Sequence, residues 1–280
     1  MLLAAAGLPG DLSAQTPLYR PPQDFFPGGK ADQAEGARIL AEFRRLGIRG
    51  GYWLAFDLRV MPRRGTERLV HGQLLGTRNE SGPVSRLTLP GAHGLASERR
   101  WLIQSGPQPT AWTWDGAAAQ TRQLGVGDAF QPVGDTDLTL FDLQMPFLYW
   151  NDFVYEGLAK VRGRPANSFV LYPPKDLAAA RPQLTGVRVL LDTQFGALVQ
   201  AELLGEKGRP EKSITVLDLK KTGEQWIVKE IDLRNLVTRD KTRFTVTAAA
   251  LDLILPPTVW SADGLAAEAP VVAEDAIQRF

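Results

Sequence analysis

Residues 187–192, VRVLLD, 199–203, VQAEL, and 243–248, RFTVTA, decide the fold of this chain. In each segment apolar and polar side chains alternate, as in Val187, Val189 and Leu191 against Arg188 and Asp192. A period of two places every second side chain on one face of a strand. Turn residues separate the segments, for example Gly205–Pro210 and Lys221–Glu224. The pattern predicts an antiparallel sheet with one apolar face that another part of the chain must cover.

Length and composition limit the class of protein. The chain has 280 residues, 44% of them hydrophobic, which suffices for one large β domain. Its net charge of +1, from 32 basic and 31 acidic residues, argues against a nucleic-acid partner. It contains no cysteine, which excludes disulfides, thiolate metal sites and a cysteine nucleophile. No stretch is long and apolar enough for a transmembrane segment.

The N-terminus suggests export. Leu2–Leu8 is a short apolar run, and Leu12-Ser13-Ala14 resembles a cleavage site for signal peptidase. We therefore interpret residues 1–14 as a truncated signal peptide and expect a periplasmic protein. The alternative is a mildly apolar tail, because a positively charged leader is missing. Residues 15–262 are then predicted to form a single domain, and residues 263–280 a C-terminal tail that is either a short helix or a loose segment.

Two helices are expected among the strands. Asp32 can cap a helix that runs to Leu46, with Glu35 completing a capping box and Gly47 ending it. Asp135 or Thr136 can cap a second one that runs to about Gln144, before Pro146. Further strands are predicted around residues 52–58, 67–77, 85–89, 101–104 and 111–114.

No group of residues has the pattern of a catalytic or metal site. His71 lies in a strand pattern and His93 in a glycine-rich loop, without a partner carboxylate motif. Pro27–Lys30 lacks the full spacing of a phosphate-binding loop and is interpreted as a turn. Asp135, Asp137 and Asp142 cluster, but acids at a helix start are favoured by the helix dipole. We expect no enzyme, no metal and no cofactor.

The second half of the chain resembles the LolA-like outer-membrane lipoprotein-sorting family, in its broad, mostly uncharacterised bacterial branch. The resemblance runs from GDTDLTLFDLQMPFLYW, residues 134–150, through the strand at residues 168–171 to QWIVKEIDLRNLVTRDKTRFTV, residues 225–246. It implies a mainly β fold, in which a curved antiparallel sheet forms an unclosed β-barrel and a few helices cover its concave side. It also implies that the concavity shelters acyl chains.

These expectations define a candidate binding surface and three functions. The first function is a periplasmic carrier for lipid or lipoprotein acyl chains, which exchanges its cargo with envelope donor and acceptor proteins. The second is a cell-envelope scaffold or partner-binding module whose concave face is filled by its own side chains. The third is a hydrolase that uses Asp135 and Asp142. Alternation selects the following apolar residues as lining: Tyr52, Leu54, Phe56, Trp101, Trp112, Trp114, Phe147, Phe169, Leu171, Val189, Leu191 and Val246.

Overall fold

The structure is a computed structural model, and it describes residues 31–91 and 97–280. Within these residues fourteen strands form one antiparallel sheet. The strands are β1 (Gly51–Met61), β2 (Arg68–Asn79), β3 (Gly82–Leu89), β4 (Arg99–Gln104), β5 (Thr110–Asp115), β6 (Gln120–Gln123), β7 (Phe153–Val161), β8 (Arg164–Leu171), β9 (Gly186–Asp192), β10 (Leu198–Leu204), β11 (Pro210–Thr222), β12 (Gln225–Asn235), β13 (Lys241–Leu253) and β14 (Gln278–Arg279).

The sheet consists of two meanders that meet in the middle. The strand order is β6-β5-β4-β3-β2-β1-β13-β12-β11-β10-β9-β8-β7, so β1 pairs with β13 and joins the two halves. The edge strands β6 and β7 do not pair with each other, and the barrel is therefore not closed. This architecture confirms the predicted fold class, a mainly β protein with an unclosed antiparallel sheet.

Cross-strand pairing fixes which residues share a face, because directly paired residues point to the same side. The three predicted lining residues of β1, Tyr52, Leu54 and Phe56, share one face of the strand with Leu58. The prediction for β13 is wrong after Val246, which pairs with Phe56. A register shift at this point pairs Ala248 with Ala55 on the other face. An irregularity of this kind inverts the alternation beyond it.

Three α-helices occur in the part of the chain that the structure describes: α1 (Gln33–Phe43), α2 (Leu140–Gln144) and α3 (Lys175–Ala180). Asp32 caps α1 as predicted, since its carboxylate accepts from the amides of Ala34 (2.9 Å) and Glu35 (3.4 Å). The N-cap of α2 was predicted wrongly. It is Thr139, and Asp142 completes a capping box with it. The helix is short because Pro146 begins a separate 3-10 turn, Pro146–Tyr149.

The last residues of the chain pack against the sheet. Pro257–Trp260 and Asp263–Ala266 form 3-10 turns, and the side chain of Leu265 is fully buried. β14 then pairs with residues 248–249 of β13. We call residues 256–280 the C-terminal strap.

Some sequence-based predictions concern residues outside the described ranges. They are the signal peptide at residues 1–14, the turn at Pro27–Lys30 and His93. Within the described ranges, no helix is long and apolar enough to cross a membrane.

Candidate functional site

One face of the sheet carries the main hydrophobic core, and we call it the inner face. Its strand residues pack with residues from α1 and from residues 128–150, which we call the cover segment. Ten of the twelve predicted lining residues contribute to this side. Phe56, Trp101, Phe147, Phe169, Leu171, Val189 and Leu191 belong to the main core, whereas Leu54, Val246 and Tyr52 form an adjoining cluster.

Trp112 and Trp114 lie on the opposite, outer face, so their assignment to the lining was wrong. Trp112 pairs with Leu102 and Trp114 with Arg100, while Trp101 pairs with Thr113. Both tryptophans pack in an outer-face cluster with Leu265 of the C-terminal strap. The guanidinium of Arg100 also stacks over the Trp114 ring at 4.3 Å. The strap therefore covers apolar side chains that alternation alone assigned to the inner face.

The cover segment fills the inner face with aromatic side chains. Phe141 stacks on Phe130 with ring centroids 4.5 Å apart, and it contacts Phe147 (5.8 Å) and Trp150 (6.3 Å). Phe141 and Phe147 are at most 2% exposed. Aromatic clusters of this kind bury a large apolar area in a defined geometry. The cover segment thus fills the space above this part of the inner face.

Helix α1 covers the edge of the sheet at β7. Leu40 is 1% exposed in the main core. The side-chain amide of Gln33 forms two hydrogen bonds with the backbone of Tyr155 in the edge strand β7: Nε2 donates to the carbonyl oxygen, and Oε1 accepts from the amide, both at 2.8 Å. Gly36 allows close approach, because a Cβ there would lie 2.5 Å from the Cβ of Tyr155. The helix is therefore fitted closely to the strand that it covers.

Polar contacts hold the cover segment to the sheet at several points. At one end of the sheet the ammonium group of Lys212 donates to the carbonyl oxygen of Asp137 (2.6 Å) and to the carboxylate of Asp142. At the other end Gln144 donates to the carbonyl oxygens of Gln104 (2.8 Å) and Thr110 (3.1 Å). The cover is therefore attached by side-chain contacts and is not a strand of the sheet.

Arg44, just after α1, connects the helix to the cover segment. Its guanidinium donates to the carbonyl oxygens of Leu148 (2.6 Å) and Trp150 (2.8 Å). Burial lowers the pKa of Arg44 from its ordinary value. Burial also raises the pKa of Tyr52, beside the inner face, to about 12. Both shifts have the same physical cause, removal of the group from water in a poorly polar environment.

The inner face is closed at β8 and β9, beneath the cover segment. Phe147, Phe169, Leu171, Val189 and Leu191 have no accessible surface, so no water-sized void lies against them. Two cavities open on the outer face. One of about 480 Å³ lies among Asp57, His71, Gln73, Arg100 and Glu268, and one of about 260 Å³ is lined by residues such as Arg59, Glu230 and Arg243.

The acidic cluster has no open cleft. Asp142 is 2% exposed and accepts from the amide (2.8 Å) and hydroxyl (2.7 Å) of Thr139, whereas Asp135 is half exposed beside Arg68. His71 is exposed on the outer face, where its Nδ1 atom lies at hydrogen-bond distance, 2.6 Å, from Oδ1 of Asp57. Among residues 31–91 and 97–280, no group of three or more histidine or acidic side chains is arranged to hold a metal ion.

Sequence reasoning missed the ion pair of Lys212 with Asp142, although it left a trace in the sequence. Lys212 shares a face of β11 with Ile214, because these residues pair with Asn235 and Leu233, and a lysine in an otherwise apolar inner register indicates a buried partner. The partner lies 70 residues earlier in the chain. No local pattern identifies it.

Comparison with known proteins gives a family and a fold. Residues 100–267 match a family described only as uncharacterised proteins. A search of curated proteins found no match. A putative outer membrane lipoprotein-sorting protein domain from Vibrio parahaemolyticus superposes with a TM-score of 0.73 at 15% identity, over 84% of this chain and 100% of that one.

Two further solved structures share the fold. A DUF1329 family protein from Desulfovibrio piger has a TM-score of 0.71 at 14% identity, covering 83% of this chain and 98% of the other. A LolA superfamily protein from Nitrosomonas europaea has a TM-score of 0.58 at 14% identity, covering 81% and 97%. The sheet with its covered inner face is therefore the LolA-like fold.

Proposed function

Because the chain belongs to the family of uncharacterised proteins matched by residues 100–267 and has the LolA-like fold, we propose that it is a non-enzymatic periplasmic carrier of acyl chains. The cargo is a lipid or the lipid anchor of a lipoprotein, bound on the inner face after the cover segment moves aside. One observation carries this proposal. A continuous apolar sheet face is covered by a segment that is attached through separable side-chain contacts.

In this proposal the conformation described above is the closed state of the carrier, with the cover segment packed on the inner face. Cargo would replace Phe130, Phe141, Phe147 and Trp150, which now cover the inner face. Exposing one large apolar side chain costs about 1.5–3 kcal/mol, so full exposure of these four costs about 6–12 kcal/mol. An acyl chain of about fifteen methylenes gains about 12 kcal/mol at about 0.8 kcal/mol per buried methylene.

This comparison favours cargo with more than one chain. A single chain balances the upper limit of the cost of exposing the aromatic side chains, about 12 kcal/mol, whereas two or three chains exceed that limit by about 12 kcal/mol or more. We therefore propose diacyl or triacyl molecules as the cargo class. Release follows when a membrane or an acceptor protein offers the chains a better apolar site and the cover segment returns.

Native mass spectrometry of the protein purified from its own envelope tests the proposal. We expect the purified protein to carry bound lipid, which organic extraction removes. After extraction the protein should bind a fluorescent apolar probe, and diacyl lipid should displace this probe. Lys212→Met should increase the rate of probe uptake because it removes a contact of the cover. The matched control is Lys207→Met, at a lysine whose side chain is 80% exposed. Absence of both lipid and probe binding would contradict the carrier.

The second candidate is an envelope module whose core is filled by its own side chains. The complete burial of Phe147 and Phe169 favours it directly. Such a module binds a partner protein on its outside and takes up no apolar ligand. The probe experiment therefore separates the two functions, because the module predicts no uptake by the wild type or by Lys212→Met.

A further inference from the structure

The antiparallel registers bring several turns to one end of the sheet. At this end lie the turns between β7 and β8, between β9 and β10 and between β11 and β12, the end of β13, and the connection from α1 to β1. We call this group of loops the basic rim. It consists of residues 44–50, 160–164, 193–197, 221–226 and 252–255. They come from distant parts of the sequence, and only the fold brings them together.

Large apolar side chains project from this rim into solvent. Phe195 is 57% exposed, Trp226 61% and Ile254 100%. Leu46, which is 51% exposed, lies beside the turn that carries Phe195, since its Cδ1 atom is 3.3 Å from the position of a Cβ on Gly196. Exposed apolar residues gathered at one end of a protein mark an interaction surface.

The charge of the rim differs from that of the whole chain. It contains two acidic residues, Glu224 and Asp252, and seven basic ones: Arg44, Arg45, Arg49, Lys160, Arg162, Arg164 and Lys221. Its net charge is therefore +5, whereas the complete chain has +1. Arg162 and Arg164 are exposed beside the β7–β8 turn, and no ion pair is formed by either of them among the described residues.

We propose that the basic rim docks the protein on the surface of an anionic phospholipid bilayer. Tryptophan and other apolar side chains favour the interface between headgroups and acyl chains, and nearby lysine and arginine side chains are attracted to anionic headgroups. Charge complementarity selects this occupant, because the positive charge is spread over several loops around the apolar tips. The inference goes beyond the proposed function and does not depend on it, since a protein with a filled core could dock in the same way.

The rim is also the end at which part of the cover is attached. There Arg44 donates hydrogen bonds to the carbonyl oxygens of Leu148 and Trp150, and Gln144 donates one to the carbonyl oxygen of Gln104 at the end of β4. Docking therefore places these contacts beside the lipid headgroups. In a carrier this is where acyl chains would enter or leave.

Vesicle sedimentation with the full chain tests the docking. The vesicles are phosphatidylglycerol with phosphatidylethanolamine, and pure phosphatidylcholine serves as the neutral comparison. We expect binding to the anionic vesicles only, with an affinity that falls at least about tenfold between about 50 and 500 mM salt. The triple variant Phe195→Ser, Trp226→Ser, Ile254→Ser should bind the anionic vesicles at least about tenfold more weakly than the wild type. The double variant Arg162→Gln, Arg164→Gln should also bind them at least about tenfold more weakly. The control Leu236→Ser with Val237→Ser, at the opposite end, should bind like the wild type.

A second readout does not depend on multiple substitutions. Because the chain has no cysteine, Ile254→Cys and Val237→Cys each accept a single environment-sensitive fluorophore. Anionic vesicles should shift the emission of the label at position 254 to shorter wavelength and leave that at position 237 unchanged. Equal binding to neutral vesicles, unchanged binding of the rim variants, or capture of a protein with no vesicle binding would overturn the inference. The rim variants should still take up the apolar probe, so loss of docking and loss of the carrier function are distinguishable.

Discussion

Lys212 on the sheet and Asp142 on the cover segment form an ion pair that the fold buries on the inner side. The side chain of Asp142 is 1% exposed and that of Lys212 14% exposed. One carboxylate oxygen of Asp142 accepts from Lys212 and Thr139, and the other is buried without a hydrogen-bond partner among the described residues. The pair therefore holds the cover to the sheet with one oxygen unsatisfied.

Removal of the lysine leaves a buried, unpaired carboxylate. We expect Lys212→Met to lower the free energy of unfolding by about 3 kcal/mol, because loss of one partner of a buried pair costs about 3–5 kcal/mol. Amide hydrogen exchange in residues 140–144 should become faster, which reports local opening of the cover. Lys207→Met should change the free energy of unfolding by less than about 0.5 kcal/mol. Equal effects of both variants would show that the pair does not hold the cover.

The contact between α1 and β7 depends on Gly36. Glycine to alanine inside a helix normally stabilises by about 0.5–1 kcal/mol. Here the new methyl group would lie 2.5 Å from the Cβ and 2.6 Å from the Cγ of Tyr155. We expect Gly36→Ala to lower the free energy of unfolding by about 1–3 kcal/mol, measured by urea denaturation. Gly127→Ala, where a Cβ meets nothing within 4 Å, is the control. A more stable Gly36→Ala would disprove the tight fit.

The C-terminal strap buries Leu265 against the outer face of the sheet. Leu265 is 0% exposed among Trp112, Trp114 and other outer-face residues. Leu265→Ala should lower the free energy of unfolding by about 2–5 kcal/mol and accelerate proteolysis of the strap. Val271→Ala in the same strap, at a side chain that is 98% exposed, should leave both unchanged. If both variants behaved alike, the strap would not be packed as described.

Asp115 should stabilise the fold in a defined pH range. Hydrogen bonds from Ser97, Arg99 and the amide of Ala117 lower its pKa from 3.8 to about 2. The folded state thus favours the charged carboxylate, and this stabilisation is present above about pH 4 and lost as the pH falls towards 2. Carboxyl chemical shifts should titrate with a midpoint near 2. The stability advantage of the wild type over Asp115→Asn should disappear in the same range. A midpoint near 4 would contradict the hydrogen-bond network.

Alternation predicted most strands and the apolar side of β1, β8 and β9 because each residue step in a regular strand reverses the side chain. It failed where the period is interrupted. The shift beside Val246 moves Ala248 to the outer face, and Trp112 and Trp114 follow a turn that resets the register relative to Trp101. When both faces of a strand are covered, the sequence does not show which face packs in the inner core and which packs in the outer-face cluster.

The site itself was only partly predictable. The cover segment was recognised as a helical region with a role above the sheet, but its cap and length depend on Thr139 and Pro146. The ion pair of Lys212 joins residues that only the folded sheet brings together. Likewise, residues 263–280 were expected to form a short helix or a loose tail, because nothing local reveals the outer-face cluster that binds Leu265.

Photo-crosslinking with a diacyl lipid that carries a diazirine on one chain tests the central claim most directly, with adducts located by peptide mass spectrometry. We expect adducts in β8, β9 and the cover segment, on residues such as Phe147, Phe169 and Val189 that face the inner side. Unlabelled diacyl lipid should suppress them. Absence of adducts, or adducts confined to the outer face beside Trp112 and Trp114, would contradict an acyl-chain carrier.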